Sequence, residues 1–310
     1  MQKIAIAIHG GAGTLLRGQM NKKKEAEYRE ALQNALNIGY SLLEQGATAV
    51  EAVEKTVIAL EDSPLFNAGK GSVFTAEGTH EMDAAIMDGK NLNAGAVSLI
   101  SGIKNPISLS RDVMEKSDHV FLAGEGAMRF AVSQGYVMEN EEYFYDELRH
   151  QQWLDIKDSD KFQLDHSDKK DSKFGTVGAV ACDNQGNVAA ATSTGGMTNK
   201  RFGRVGDSPI IGAGNYANNK TCAVSCTGSG EFFIRGVVAY DVSCLMEYKG
   251  LTVDEAAGEV INHRILEIGG DGGLIAVDAK GNVALAFNTE GMYRGFRSST
   301  GQEKIAIYKE

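Results

Sequence analysis

The chain has 310 residues, 43% of them hydrophobic and 23% charged, with a formal net charge of −10. That balance suits a soluble globular protein of one or two domains. The acidic excess and the lack of a basic face argue against nucleic-acid and anionic-membrane partners. Lys22-Lys-Lys24 is offset within a turn by Glu25 and Glu27. Glycine is abundant, 37 residues against 3 prolines, which favours tight turns and a site built largely from main chain. The four cysteines, Cys182, Cys222, Cys226 and Cys244, read as buried free thiols, with Cys222 and Cys226 on one face of a strand. The N-terminal run through Ile8 reads as a strand rather than a leader, and no window is long enough to span a membrane. A reducing cytoplasm fits these features.

In chain order, residues 3–8 form a strand and His9-Gly-Gly-Ala-Gly13 a turn. Apolar spacing predicts a helix over Lys22–Glu44 that ends before Gly46. A second helix, capped by Thr48, buries Val50, Val53, Val57 and Leu60. A loop punctuated by Pro, Gly and Asn follows over 62–72. Residues 82–87 and 94–100 pair as a hairpin. Helices are expected over Pro106–Lys116, 125–134 and 143–158, with a short strand at 119–123. A polar segment, 155–175, is the linker between the two halves. Past it, Asp183-Asn-Gln-Gly-Asn187 and Asp278-Ala-Lys-Gly-Asn282 resemble each other as hairpin turns. Two further helices are expected over 230–249 and 252–267. Hairpins in both halves favour antiparallel strands, and the tally reads as a layered α/β sandwich.

Several catalytic patterns are absent. His80-Glu81 lacks the second histidine of a zinc helix. Gly124-Glu-Gly126 and Gly212-Ala-Gly214 lack the last glycine of a dinucleotide loop, and there is no Gly-x-Ser-x-Gly elbow. What stands out is Gly175-Thr176, where a polar run meets a small apolar strand. A strained peptide is most easily held at glycine, and the Thr176 hydroxyl could attack the carbonyl before it. Cleavage there would free an α-amine, pKa ~7.7–8.0, able to serve as the base for that hydroxyl. Folding back the next hairpin brings Thr192-Ser-Thr-Gly-Gly196 near Thr176, so Thr194 either meets its hydroxyl or stays solvated. Arg204 and Asp207 could grip the carboxylate and ammonium of an amino acid, or form a plain surface ion pair. Thr227-Gly-Ser-Gly230 closes a strand and opens a helix, where free N–H groups cap the helix and favour developing negative charge.

Together Gly175-Thr-Val-Gly-Ala-Val180, Thr192-Ser-Thr-Gly-Gly-Met-Thr-Asn-Lys200, Gly203-Arg-Val-Gly-Asp-Ser208, Ser225-Cys-Thr-Gly-Ser-Gly230 and Asn288-Thr-Glu-Gly-Met292 resemble the isoaspartyl peptidase/plant-type L-asparaginase family. Ile8-His-Gly-Gly-Ala-Gly13 and Pro64-Leu-Phe-Asn-Ala-Gly-Lys-Gly71 extend the likeness through the first half. The resemblance implies a single αββα four-layer sandwich over 1–310 of the N-terminal-nucleophile type. It implies a precursor cut between Gly175 and Thr176 into an α subunit, 1–175, and a β subunit, 176–310, two such pairs forming a dimer. It implies Thr176 as nucleophile, Thr194 as its polarising partner, Arg204 and Asp207 as substrate anchors, and Thr227 with Gly228 as oxyanion hole. Gly230 would line the amine pocket and Asn67 would lie beside the site. Main-chain carbonyls of Leu60, Glu61, Ser63, Phe66, Ala68 and Lys70 would hold a structural sodium, with no catalytic cofactor. The implied substrates are small molecules, β-aspartyl dipeptides and L-asparagine. A glycosylasparaginase and an uncleaved amino-acid-binding protein are the competing readings.

Overall fold

A computed structural model describes residues 3–18, 20–158 and 175–309; the expected linker, 155–175, lies largely outside the described residues. The first strand, β1 (Ala5–Gly13), is longer than expected. His9-Gly-Gly-Ala-Gly13 is not a turn. Its residues continue the strand through a bulge, with His9 opposite Arg294 and Ala12 opposite Met292. A late strand, β11 (Gly291–Ser298), supplies the pairing that keeps this glycine run extended.

Two helices follow, α1 (Lys22–Glu44) and α2 (Ala49–Glu61), as expected. Asn21 caps α1 by accepting from Lys24 N, and Thr48 caps α2 by accepting from Glu51 N. The hairpin β2 (Met82–Asp88) and β3 (Ala94–Ile100) is present. Beyond it come α3 (Pro106–Lys116), β4 (Phe121–Ala123) and α4 (Gly124–Ser133). The helix expected over 143–158 is instead two short ones, α5 (Glu141–Phe144) and α6 (Glu147–Leu154). Asn140 caps the first and Asp146 the second. Asp146 gains a backbone hydrogen bond by leaving the helix, a competition that apolar spacing does not reveal.

In the second half, β5 (Val177–Cys182) pairs with β6 (Val188–Thr194), and β9 (Gly272–Asp278) with β10 (Val283–Phe287). Asp183 accepts from the N–H groups of Gln185 and Asn187, and Asp278 does the same for Lys280 and Asn282. The two look-alike segments are the same side-chain-capped turn. Between these hairpins lie β7 (Asn215–Ala217) and β8 (Cys222–Gly228); β12 (Glu303–Tyr308) ends the fold.

The helix expected over 230–249 breaks into α7 (Gly230–Gly236) and α8 (Val238–Lys249). Val237, between them, has φ 48°. The first N–H groups of α8, at Ala239 and Tyr240, donate to the Ala213 and Gly212 carbonyls, so the loop before β7 fixes the new helix direction. A β-branched residue in the left-handed region is strained. Val237→Gly is therefore expected to stabilise the fold by about 1 kcal/mol, read as a higher thermal midpoint with unchanged activity. The segment 252–267 also divides, into α9 (Val253–Glu259), a wide π-type turn (Val260–Arg264) and α10 (Ile265–Glu267). There the Asn288 amide donates to Ile261 O, a side chain inserted into the helical ladder.

Among the described residues the strands form an eight-stranded sheet, β12-β11-β1-β5-β6-β2-β3-β4, and a four-stranded sheet, β10-β9-β8-β7. All pairs are antiparallel except β3 with β4. Alternation sorts the side chains into layers. Ile4, Ile6, Ile8, Val177, Ala179 and Ala191 pack against α1, α2 and α3. Ala5, Ala7, Val180, Ala190, Ala223 and Ile275 fill the space between the sheets. Cys222, Val224 and Cys226 face the other helical layer, with Val238, Val242 and Val260. The order is α-β-β-α, as the resemblance implied. All four cysteines are free, three of them buried; Cys244, expected to be buried, is only half-buried on α8. No helix among the described residues is long and apolar enough to cross a membrane.

Candidate active site

The β5–β6 register sets Val177 opposite Ser193 and Gly178 opposite Thr192. Extended by one residue, it sets Thr176 opposite Thr194. The Thr176 hydroxyl donates to Thr194 Oγ1 at 3.1 Å, and Thr194 Oγ1 also accepts from Gly196 N at 3.0 Å. Strand alternation points Thr192, Thr194, Ser225 and Thr227 to one side, into the space between the sheets, while Ser193 turns to the helices and bonds Glu61.

Thr176 lies in a pocket with Gly175, Thr194, Arg204, Asp207, Thr227 and Gly228. Gly175 is pressed onto Gly11, where a methyl on either glycine would lie within 3 Å of the other's backbone. The same methyl on Gly175 would lie 3.3 Å from Thr227 Oγ1, so the residue before Thr176 packs beside the Thr227 hydroxyl. With Gly175 in place the free volume is about 40 Å³, little more than one water molecule's share of liquid, ~30 Å³.

Arg204 and Asp207 come from the loop after β6, and they are not bonded as a simple surface pair. The Arg204 guanidinium is held by both oxygens of Glu231, at 2.9 and 3.0 Å. Asp207 is buried, and its Oδ2 has no hydrogen-bond partner among the described residues. Burial pushes its carboxyl up to about 7, against the pull of Arg204. Gly230 gives both groups room: a methyl there would lie 3.0 Å from Arg204 Nη2 and from Asp207 Oδ1. Such a pocket offers a fixed cation, and beside it a buried carboxyl with one oxygen short of a partner among the described residues.

Asn67 acts on main chain. It donates to Gly196 O at 2.7 Å and accepts from Val73 N, clipping the turn after Thr194 to the loop after α2. In that loop the carbonyls of Leu60, Ser63, Phe66 and Ala68 each accept a loop N–H. Gly69 lies against the Glu61 carbonyl and Gly71 against those of Pro64 and Phe66, positions a Cβ would fill. The Lys70 ammonium lies over the Tyr143 ring at 5.3 Å. Main-chain oxygens are hard donors, the type that suits a hard cation, and among the described residues there is no cluster of His, Cys, Asp or Glu that could hold a metal ion.

Sequence reasoning missed Glu231, which reads as an ordinary acidic residue in the first turn of a helix. It also missed the buried string His9–Ser225–Thr192. His9 shares a strand face with Ala5 and Ala7, a histidine at the end of a small-residue stripe, and that periodicity was the available signal.

An asparaginase family model (Asparaginase_2) matches residues 2–307. The chain belongs to the asparaginase family. It is an amidohydrolase. A relative named isoaspartyl peptidase from Escherichia coli K12 is 52% identical over all of this chain and 98% of its own length. One of the same name from Salmonella typhimurium is 50% identical over the full length of both. A plant-type L-asparaginase from Pyrococcus horikoshii is 44% identical over 98% of this chain and 99% of its own. The asparaginase likeness thus runs through both halves, as the motifs implied.

Proposed function

We propose that this asparaginase is made as a precursor, cuts itself between Gly175 and Thr176, and then hydrolyses β-aspartyl amides to release L-aspartate. Isoaspartyl dipeptides and L-asparagine share the same aspartyl head and differ only in the leaving amine. The observation that carries this reading is the 3.1 Å contact of the Thr176 and Thr194 hydroxyls inside a pocket that also holds Arg204, Asp207, Thr227 and Gly228.

In the first step the Thr176 oxygen attacks the Gly175 carbonyl carbon. The C–N bond breaks, an ester forms, and the proton passes to the freed amine. Water then cleaves the ester, leaving a Gly175 carboxylate. Departure of Gly175 opens the pocket. Arg204 takes the substrate α-carboxylate and Asp207 the α-ammonium, with Gly230 leaving room for the latter. The Thr176 amine accepts the hydroxyl proton as the oxygen attacks the β-carbonyl. Thr227 and the Gly228 N–H stabilise the oxyanion, a donor of this kind being worth ~2.7–4 kcal/mol. The amine leaves protonated, water hydrolyses the aspartyl ester, and aspartate departs. The two pieces stay together because β5 and β6, after the cut, lie between β1 and β2 of the first piece. The loop carbonyls of Leu60, Glu61, Ser63, Phe66, Ala68 and Lys70 would hold a structural sodium, which would steady the loop and take no part in these steps. Free cysteines suit a cytoplasmic setting, and two αβ pairs associate as a dimer.

The test is intact mass together with aspartate release from β-Asp-Leu, asparagine and GlcNAc-asparagine. Chains 1–175 and 176–310, with turnover of the first two compounds, are expected. Release from the glycosylated compound alone would make it a glycosylasparaginase. A whole chain that binds aspartate without turnover would make it a binding protein.

A further inference from the structure

We propose that His9 is a positioning residue that holds Thr176 by its carbonyl, at the end of a one-way chain of hydrogen bonds buried between the two sheets. This rests on the reading of Thr176 as the nucleophile.

The direction of the chain follows from chemistry. His9 Nδ1 lies 2.9 Å from Thr176 O. A carbonyl only accepts, so Nδ1 carries the hydrogen. His9 is fully buried, and burial pushes its ring down to about 3, so the ring is neutral. Nε2 is then an acceptor, and the Ser225 hydroxyl, 2.9 Å away, donates to it. Ser225 has no second hydrogen, so its oxygen accepts from Thr192 Oγ1 at 2.7 Å. That is shorter than the 3.2 Å from Thr192 Oγ1 to Gly214 O. Thr192 in turn accepts from the Asn215 amide at 3.0 Å. Each link fixes the next, and only the Nδ1–H tautomer of His9 satisfies them all.

Gly178 makes the contact sterically possible. It pairs with His9 across β1 and β5, and a methyl at residue 178 would fall 2.0 Å from Ser225 Oγ and 2.4 Å from His9 Nε2. His9 belongs to the first piece and Thr176 to the second. Once the peptide before Thr176 is cut, that residue becomes a chain end, where order is normally lost. The His9 bond holds its carbonyl, the Thr194 bond holds its hydroxyl, and the freed amine is left as the group that turns onto the hydroxyl.

Asn and Gln at position 9 test this, because the Asn amide nitrogen reproduces Nδ1 and the Gln amide end reproduces the Nε2 position. Rates are taken per cleaved molecule with β-Asp-Leu. H9N is expected to keep kcat within about tenfold, whereas H9Q loses on the order of 10²-fold, the usual effect of a misplaced reacting group. KM stays unchanged in both, since Arg204 and Asp207 are untouched. A merely structural His9 predicts the reverse, because Gln is the closer match in volume. Equal kcat in the two variants, or a better Gln, overturns the inference. Should neither variant fold, ¹⁵N-histidine spectra of the wild-type protein decide. A buried neutral Nδ1–H ring supports the chain, and a set of rings without one overturns it. Thr176→Ala separates the two ideas: activity surviving in it overturns the nucleophile reading, and a silent T176A with equal H9N and H9Q overturns the His9 role alone.

Discussion

Thr176→Ala is expected to give one uncut chain of 310 residues with no release of aspartate from β-Asp-Leu. Both activities vanish together because one oxygen performs both attacks. Alanine leaves the peptide amide in place, so the variant lacks the nucleophile and also the free amine that would serve as its base. The loss in hydrolysis is at least ~10⁴-fold in kcat, in line with removal of an activated nucleophile elsewhere. The fold survives, since the substitution deletes a hydroxyl and a methyl at a strand end and leaves the backbone carbonyl that His9 bonds. Thr176→Ser restores an oxygen and is expected to restore cutting and slow turnover. Mass spectrometry reads the cut, and coupled aspartate detection reads the rate. Wild-type turnover by an intact T176A chain would refute the mechanism.

Asp207→Asn is the second large effect, and it has two opposite signs. Asp207 is a buried carboxyl whose Oδ2 has no partner among the described residues until an ammonium arrives. Loss of a desolvated charge partner costs 2–5 kcal/mol, so kcat/KM should fall roughly 10²- to 10³-fold. The free protein should gain about 1–3 kcal/mol, because an amide does not carry a charge that burial opposes. Burial raises this carboxyl from 3.8 to about 7. Its favourable contribution to folding is therefore complete below the unfolded value and is lost as pH rises through about 7. Unliganded wild-type protein should lose stability across that window, and D207N should lose less. Binding runs the other way. The ammonium needs the ionised form, so wild-type KM should climb as pH falls below about 7, while D207N shows a high and flatter KM. The Thr176 amine acts on kcat, which separates the two titrations. Thermal midpoints of the unliganded protein and KM against pH check both halves; a D207N protein with normal KM would remove Asp207 from the substrate pocket.

These two residues mark how far the sequence reads. The Thr176–Thr194 pairing was legible because a hairpin register is arithmetic along the chain, and a turn capped by Asp183 fixes that arithmetic locally. The glycine-rich segments were legible as places of close approach. Which atom approaches was not, and Gly178 shows why: its neighbours Ser225 and His9 come from two other strands. The helix breaks at Val237 and Asp146 escaped notice because apolar spacing continues across them. What breaks each helix is a polar competitor, the loop carbonyls in one case and a capping carboxylate in the other.

By itself the sequence determined a layered α/β sandwich, since alternation along a strand and spacing along a helix are properties of local backbone geometry; the α-β-β-α order was implied only by the family resemblance. It also determined the family and the identity of the hydroxyl, guanidinium and carboxyl groups in the pocket. Only tertiary structure decided their states: Glu231 gripping Arg204, Asp207 left short of a partner, and His9 neutral beneath Thr176. Hydrogen-bond pairing and desolvation depend on groups distant in the chain, and those distances are set only when the two sheets close on one another.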